Sequence, residues 1–128
     1  MGFIFVNPNP GKLFVGDCVV RAVSIATDQS WEDTFLDICA QGFLMKDMPS
    51  SDAVWGMYLK TKGFTMNALP KVCEFCYTLR DFCNEHPIGT FVIATGSHAV
   101  AVINGDYYDT ADCGDCIPIY YFRKEDTR

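Results

Sequence analysis

At 128 residues the chain is long enough for one domain with one core and too short for two comfortable ones. Its formal charge of −6 argues against a nucleic-acid partner, because an acidic surface displaces no counterions from a phosphate backbone. No apolar run reaches the ~20 residues that span a bilayer, and MGFIFVNPNPGK lacks a basic leader, so the expectation is a cytoplasmic protein with no membrane contact and its seven cysteines reduced.

Gly2–Val6 reads as a short apolar strand or an extended arm. Asn7-Pro8-Asn9-Pro10-Gly11 then forbids regular structure, since each proline removes a donor and biases its predecessor to extended geometry. From Cys18 the pattern is helical: Val19, Val20, Ala22, Val23, Ile25 and Ala26 surround one charge, Arg21, and so apolar a helix is buried on most sides. Asp17 is its expected N-cap, which makes Cys18 the first helical residue, and Thr27-Asp28-Gln29 ends it. Ser30 caps a second helix, with Asp33 three residues on and Trp31, Phe35, Leu36, Ile38 and Cys39 as its apolar face; Gly42 is expected to stop it. Ser50-Ser51-Asp52 starts a third helix, Ala53–Lys62, with Gly63 as the C-cap.

Phe64–Leu69 reads as a strand, and Pro70–Cys76 is undetermined. Tyr77–Glu85 reads as a short helix, followed by a turn that carries His86 at the surface. Three strands follow: Thr90–Thr95, His98–Ile103 and Asp106–Thr110, the last two joined by Asn104-Gly105. Ala111–Cys116 is a loop, Ile117–Phe122 a final strand, and the rest a charged tail. The expected fold is α+β: a single domain, 1–128, whose N-terminal helices pack on one side of a C-terminal antiparallel β-meander.

Asn-Gly between alternating apolar runs predicts a type I′ hairpin, because that turn needs φ > 0 at both central residues. The register follows by counting. Ile103 opposes Asp106, Val102 opposes Tyr107, Ala101 opposes Tyr108 and Val100 opposes Asp109. His98 and Asp109 then share a face as diagonal neighbours, about 7–8 Å apart between backbones and within reach of each other's side chains. A carboxylate beside an imidazole fixes the ring's tautomer and favours its charged form. Cys18, at a helix start, gains thiolate character from the unpaired N–H groups and the positive end of the dipole. Those N–H groups, that of Cys18 included, suit a developing oxyanion. Cys18, His98 and Asp109 are therefore the candidate nucleophile, base and orienting acid of an acyl-transfer enzyme.

A helix-borne cysteine early in the chain, followed by histidine and aspartate on successive strands, resembles the papain-like cysteine peptidases. The stretches GDCVVRAVSIAT, SHAVAVINGDYYDT and IPIYYF carry the likeness, which is to small C39-like and NlpC/P60-like bacterial and phage proteins. The resemblance implies a papain-like fold, a peptide or protein substrate, no cofactor, and the three roles just given. It also implies a glutamine about half a dozen residues before the cysteine, completing the oxyanion hole. Lys12 stands there instead, and Asn9 or Asn7 would take that place if the Pro-rich arm folds over the helix start. A papain-like binding protein that sequesters a partner without turnover is the alternative.

Competing readings remain at each position. Cys18 as a small buried hydrophobe, His98 as a satisfied sheet histidine and Asp109 as a turn residue are the bland ones. Cys73-x-x-Cys76 and Cys113-x-x-Cys116 have the spacing of a four-thiolate zinc site, but without the glycine or basic residues that flank zinc knuckles, and the expectation is no metal.

Overall fold

The computed structural model describes residues 2–69 and 77–125. These residues form four helices and six strands, an α+β arrangement. The helices are α1 (Cys18–Thr27), α2 (Trp31–Met45), α3 (Asp52–Thr61) and α4 (Leu79–Glu85). The strands are β1 (Phe3–Phe5), β2 (Phe64–Ala68), β3 (Thr90–Ala94), β4 (Ala99–Ile103), β5 (Asp106–Asp109) and β6 (Tyr120–Lys124). None of these helices is long and apolar enough to cross a membrane.

The β4–β5 hairpin forms as its turn residues dictate. Asn104 and Gly105 take φ of 50° and 84°, and Ile103–Asp106, Val102–Tyr107 and Ala101–Tyr108 are paired. The rest of the sheet departs from a meander. Its order is β1-β5-β4-β3-β6-β2, so the two earliest strands form its edges. β1 lies parallel to β5, and every other pairing is antiparallel. Gly2–Val6 is thus a strand held by a partner a hundred residues away, a contact that no local pattern announces. The final strand begins at Tyr120, three residues later than its apolar run suggests, because Ile119 instead joins Leu69 and Ala94 through isolated hydrogen bonds.

Helices cover both faces of the sheet, not one. On the first, α1, α2 and α3 bury Ala22, Val23, Ala26, Ile38, Val54, Trp55 and Leu59 against Val92, Ala94, Ala99, Ala101 and Phe122. On the second, α4 packs Leu79 and Phe82 against Phe91, Ile93, Val100, Val102 and Tyr107. β3 and β4 are therefore buried on both sides, which is why they read as continuous apolar runs. Where β4 meets α1 its buried side chains are Ala99 and Ala101, in the same core cluster as Ala22 and Ala26 of α1. Small residues on both surfaces let this helix sit close to the strand, and that closeness sets the position of Cys18.

Three local expectations are corrected. Gly42 does not stop α2. It is buried inside a helix that runs to Met45, and a Cβ there would meet the Asp47 carbonyl at 2.7 Å, so glycine serves the close approach of the following loop. Lys46, at φ 59°, makes the left-handed cap instead. α4 begins at Leu79, because Thr78 and Asp81 form a reciprocal capping box two residues into the expected helix. His86 is half-buried rather than a surface residue: its ring stacks on Phe82 at 3.9 Å and its Nδ1 lies 2.8 Å from the Phe82 carbonyl.

A candidate cysteine–histidine–aspartate site

One end of the sheet gathers the chemistry. There β3 finishes, β4 begins, β5 finishes and α1 starts. Thr95 and His98 bracket the Gly96-Ser97 turn, and the Thr95 N–H donates to the His98 carbonyl at 2.9 Å, which fixes the backbone that carries the imidazole. Asp109 closes β5 and is 4 % exposed. His98 Nε2 lies 2.5 Å from Asp109 Oδ2. The hairpin register thus brings His98 and Asp109 together as counted from the turn. With Nε2 directed at the carboxylate, Nδ1 is the ring nitrogen left for a reacting group.

Cys18 is the first residue of α1 and half-buried, and it lines the same cleft as His98. This cleft, of about 590 Å³, runs between the start of α1, the Trp31–Cys39 side of α2, the start of α3 and the β3–β4 turn. A hydrogen bond with His98 lowers the Cys18 thiol below its ordinary value of 9.0, against the opposing effect of burial, and the Ala99 backbone and the charges of His98 and Arg21 add to it. The imidazole is raised far above its ordinary value, first by the Asp109 hydrogen bond, then by those with Cys113 and Cys18. Burial pushes the Asp109 carboxyl up, but the bonds from His98 and the Thr110 N–H outweigh it, and the acid stays below its ordinary value.

Asp17 occupies the N-cap position of α1, yet its side chain makes no capping bond. The carboxylate instead pairs with Arg21 and accepts from Trp31 Nε1 at 2.9 Å. Arg21 reaches on to Asp109 Oδ1 at 3.2 Å. Its guanidinium is buried between two carboxylates, one on its own helix and one 88 residues further along the chain. Nothing in the sequence names Asp109 as the partner. The signal was Arg21 itself: a lone charge in an apolar helix, four residues from an acid, is a buried pair in waiting.

Asn9 is buried in the Pro-rich arm, and its amide nitrogen lies 3.5 Å from Asp17 Oδ2 while its oxygen accepts from the Gly11 N–H. The arm does fold against the start of α1, but Asn9 is not part of the cleft wall. Asn7 turns back on the arm, donating to the Leu13 carbonyl. The first N–H groups of α1 have no acceptor within the helix, and Cys18 stands at that helix start.

Cys113 and Cys116 are the second half of the four-thiolate spacing noted in the sequence. Cys73 and Cys76 lie outside the described residues; the Cys113 Sγ is 3.3 Å from Asp109 Oδ2. Burial raises the Cys113 thiol, and its Asp109 neighbour adds to that. Two thiols thus adjoin one imidazole, Cys18 shifted towards thiolate and Cys113 away from it.

Comparison with protein-family models, with curated proteins and with solved structures gives no match to this chain.

Proposed function

We propose that this chain is a papain-like cysteine hydrolase, a single domain over residues 1–128 that cleaves amide or thioester bonds in a peptide or protein substrate in the cytoplasm. The observation that carries this reading is that Cys18 at a helix start and His98 at a hairpin turn line one cleft, with Asp109 2.5 Å from the imidazole.

The Cys18 thiolate attacks the carbonyl carbon. The oxyanion that forms is held by backbone N–H groups at the start of α1, that of Cys18 among them. The His98 imidazolium gives its proton to the leaving group, which departs and leaves an acyl-cysteine. Water then attacks the acyl carbon, His98 takes the water's proton, and the acid product leaves as the thiolate re-forms. Asp109 holds the ring in line throughout, and Arg21 holds Asp109.

Iodoacetamide labelling followed by peptide mapping tests the nucleophile. Cys18 is expected to react ahead of Cys39, Cys83, Cys113 and Cys116, and a Cys18 no faster than half-buried Cys39 would overturn the reading. A fluorogenic peptide library tests turnover, with Cys18→Ser as the dead control. The position of Asn9, tied to Asp17 and off the cleft wall, favours the alternative of a papain-like binding protein that sequesters a partner. That alternative gains if Cys18 is hyper-reactive while no peptide, amide or thioester is cleaved.

A further inference from the structure

We propose that His98, Asp109 and Cys113 form a binding site for a divalent transition-metal ion, zinc in particular, whose occupancy shuts off the Cys18–His98 pair. The inhibitory half rests on the hydrolase reading above; the binding half does not.

A ring nitrogen, a carboxylate oxygen and a sulfur, one from each residue, all lie within 4.8 Å of one another. Nitrogen, oxygen and sulfur donors together suit a borderline ion such as zinc better than magnesium or calcium, which favour oxygen alone. Tetrahedral zinc with bonds of about 2.0–2.3 Å holds its donors roughly 3.3–3.7 Å apart. The Cys113–Asp109 separation of 3.3 Å already fits. The His98–Asp109 separation of 2.5 Å must open, by about 1 Å on that bond-length arithmetic.

Each ligand is also braced from behind, which is what tunes and orients a metal site. Asp109 Oδ1 is taken by Arg21 and the Thr110 N–H, which leaves Oδ2 for His98 and Cys113. The His98 carbonyl is held by Thr95. Cys113 sits in a loop fixed at several points: Asp112 accepts from Tyr107 Oη and the Gly114 N–H, Arg80 pairs with Asp112 and Asp115, and the Leu79 N–H donates to the Cys116 carbonyl. Three protein ligands leave a fourth tetrahedral position for water.

Binding sends two protons to solvent, one from the imidazolium and one from the Cys113 thiol, since Asp109 is already ionised. The metal then takes the Nε2 position that Asp109 used and displaces the proton there; the neutral ring keeps only its Nδ1 proton, which it gives up less readily than an imidazolium does, so His98 no longer protonates the leaving group. Inhibition follows without any contact to Cys18.

The test uses the full chain, reduced and stripped with a chelator, titrated with zinc alone by equilibrium dialysis. One ion per chain is expected, with affinity reduced by at least about 10–100-fold in Cys113→Ser and His98→Gln, as losses in a metal's shells typically give. Cys18→Ser and Cys116→Ser are expected to keep binding. Cobalt should give a thiolate-to-metal charge-transfer band that disappears in Cys113→Ser, and circular dichroism confirms that each variant is folded; Cys113→Ala replaces any that is not. Within each folded variant, turnover with and without zinc is compared, and the zinc effect is expected in wild type and lost without Cys113. Absence of stoichiometric zinc, or zinc binding indifferent to both Cys113 and His98, overturns the site. Turnover that requires zinc overturns the inhibitory role. Zinc binding in a protein that cleaves nothing even when zinc-free refutes the hydrolase reading and leaves the site standing.

Discussion

Arg21 decides more at the residue scale than its place in the sequence indicates. Buried between Asp17 and Asp109, it joins the start of α1 to the end of β5. Arg21→Met leaves buried Asp17 without its cation and Asp109 with His98 alone, and the expected cost is about 3–5 kcal/mol, read by urea unfolding. Arg21→Lys keeps the charge but cannot grip two carboxylates in a planar fork, so it should fall between. The pH dependence of metal-free Cys18 follows from its neighbours. Its reactive form is the thiolate, and its pKa is lowered chiefly by the His98 hydrogen bond, so alkylation should rise through a midpoint below 9.0. In His98→Gln that midpoint is expected to move back up. The folded-state pKa of His98 lies above its ordinary 6.5, so its contribution to stability is complete below pH 6.5 and fades as pH rises through the folded value. That of Asp109 lies below 3.8, so its contribution is complete above pH 3.8 and fades as pH falls. Chemical denaturation across pH should therefore find the network's greatest contribution between 3.8 and 6.5, and a smaller stability difference between that window and its flanks in Asp109→Asn than in wild type would match its loss.

The contact between α1 and β4 governs the site at the element scale. Ala99 and Ala101 are 3 % and 0 % exposed beneath Ala22 and Ala26. Ala101→Leu forces the helix outwards, at a typical overpacking cost of about 1–3 kcal/mol. It should also slow Cys18 alkylation relative to wild type, because the same displacement separates the thiol from His98; an unchanged rate in a destabilised variant would show that the helix position and the site are uncoupled. The elements themselves were largely legible. The starts of α1, α2 and α3, and the β4–β5 turn, follow from residues within a few positions of each boundary. The end of α2 was not, since Gly42 serves packing against the Asp47 backbone, which outweighs its ordinary tendency to end a helix. α4 likewise starts where Thr78 and Asp81 cap each other and not where apolar residues begin.

The whole molecule hangs its acidic residue on its own N-terminus. β1 runs parallel to β5, Phe5 opposes Asp109, and the Val6 N–H donates to the Asp109 carbonyl at 3.0 Å. Deletion of residues 1–6 strips β5 to an edge while leaving the α1–α3 core in place. The expected result is a folded protein whose melting temperature is lower by several degrees, with the proposed hydrolysis lost by a larger factor than stability alone explains; turnover unchanged by truncation would free Asp109 from this dependence.

What the amino-acid order determined here is local: a turn that needs two positive φ values, the starts of the first three helices, and from the turn the register that puts His98 beside Asp109. What needed the folded chain is everything carried by contacts between remote segments. Those are the parallel edge strand, the helix on the second face, Arg21 between its two acids, and Cys113 beside the imidazole. The physical reason is reach. Hydrogen-bond geometry over a few residues constrains its own neighbourhood, whereas burial rewards any pair of surfaces that fit, however far apart they lie along the chain.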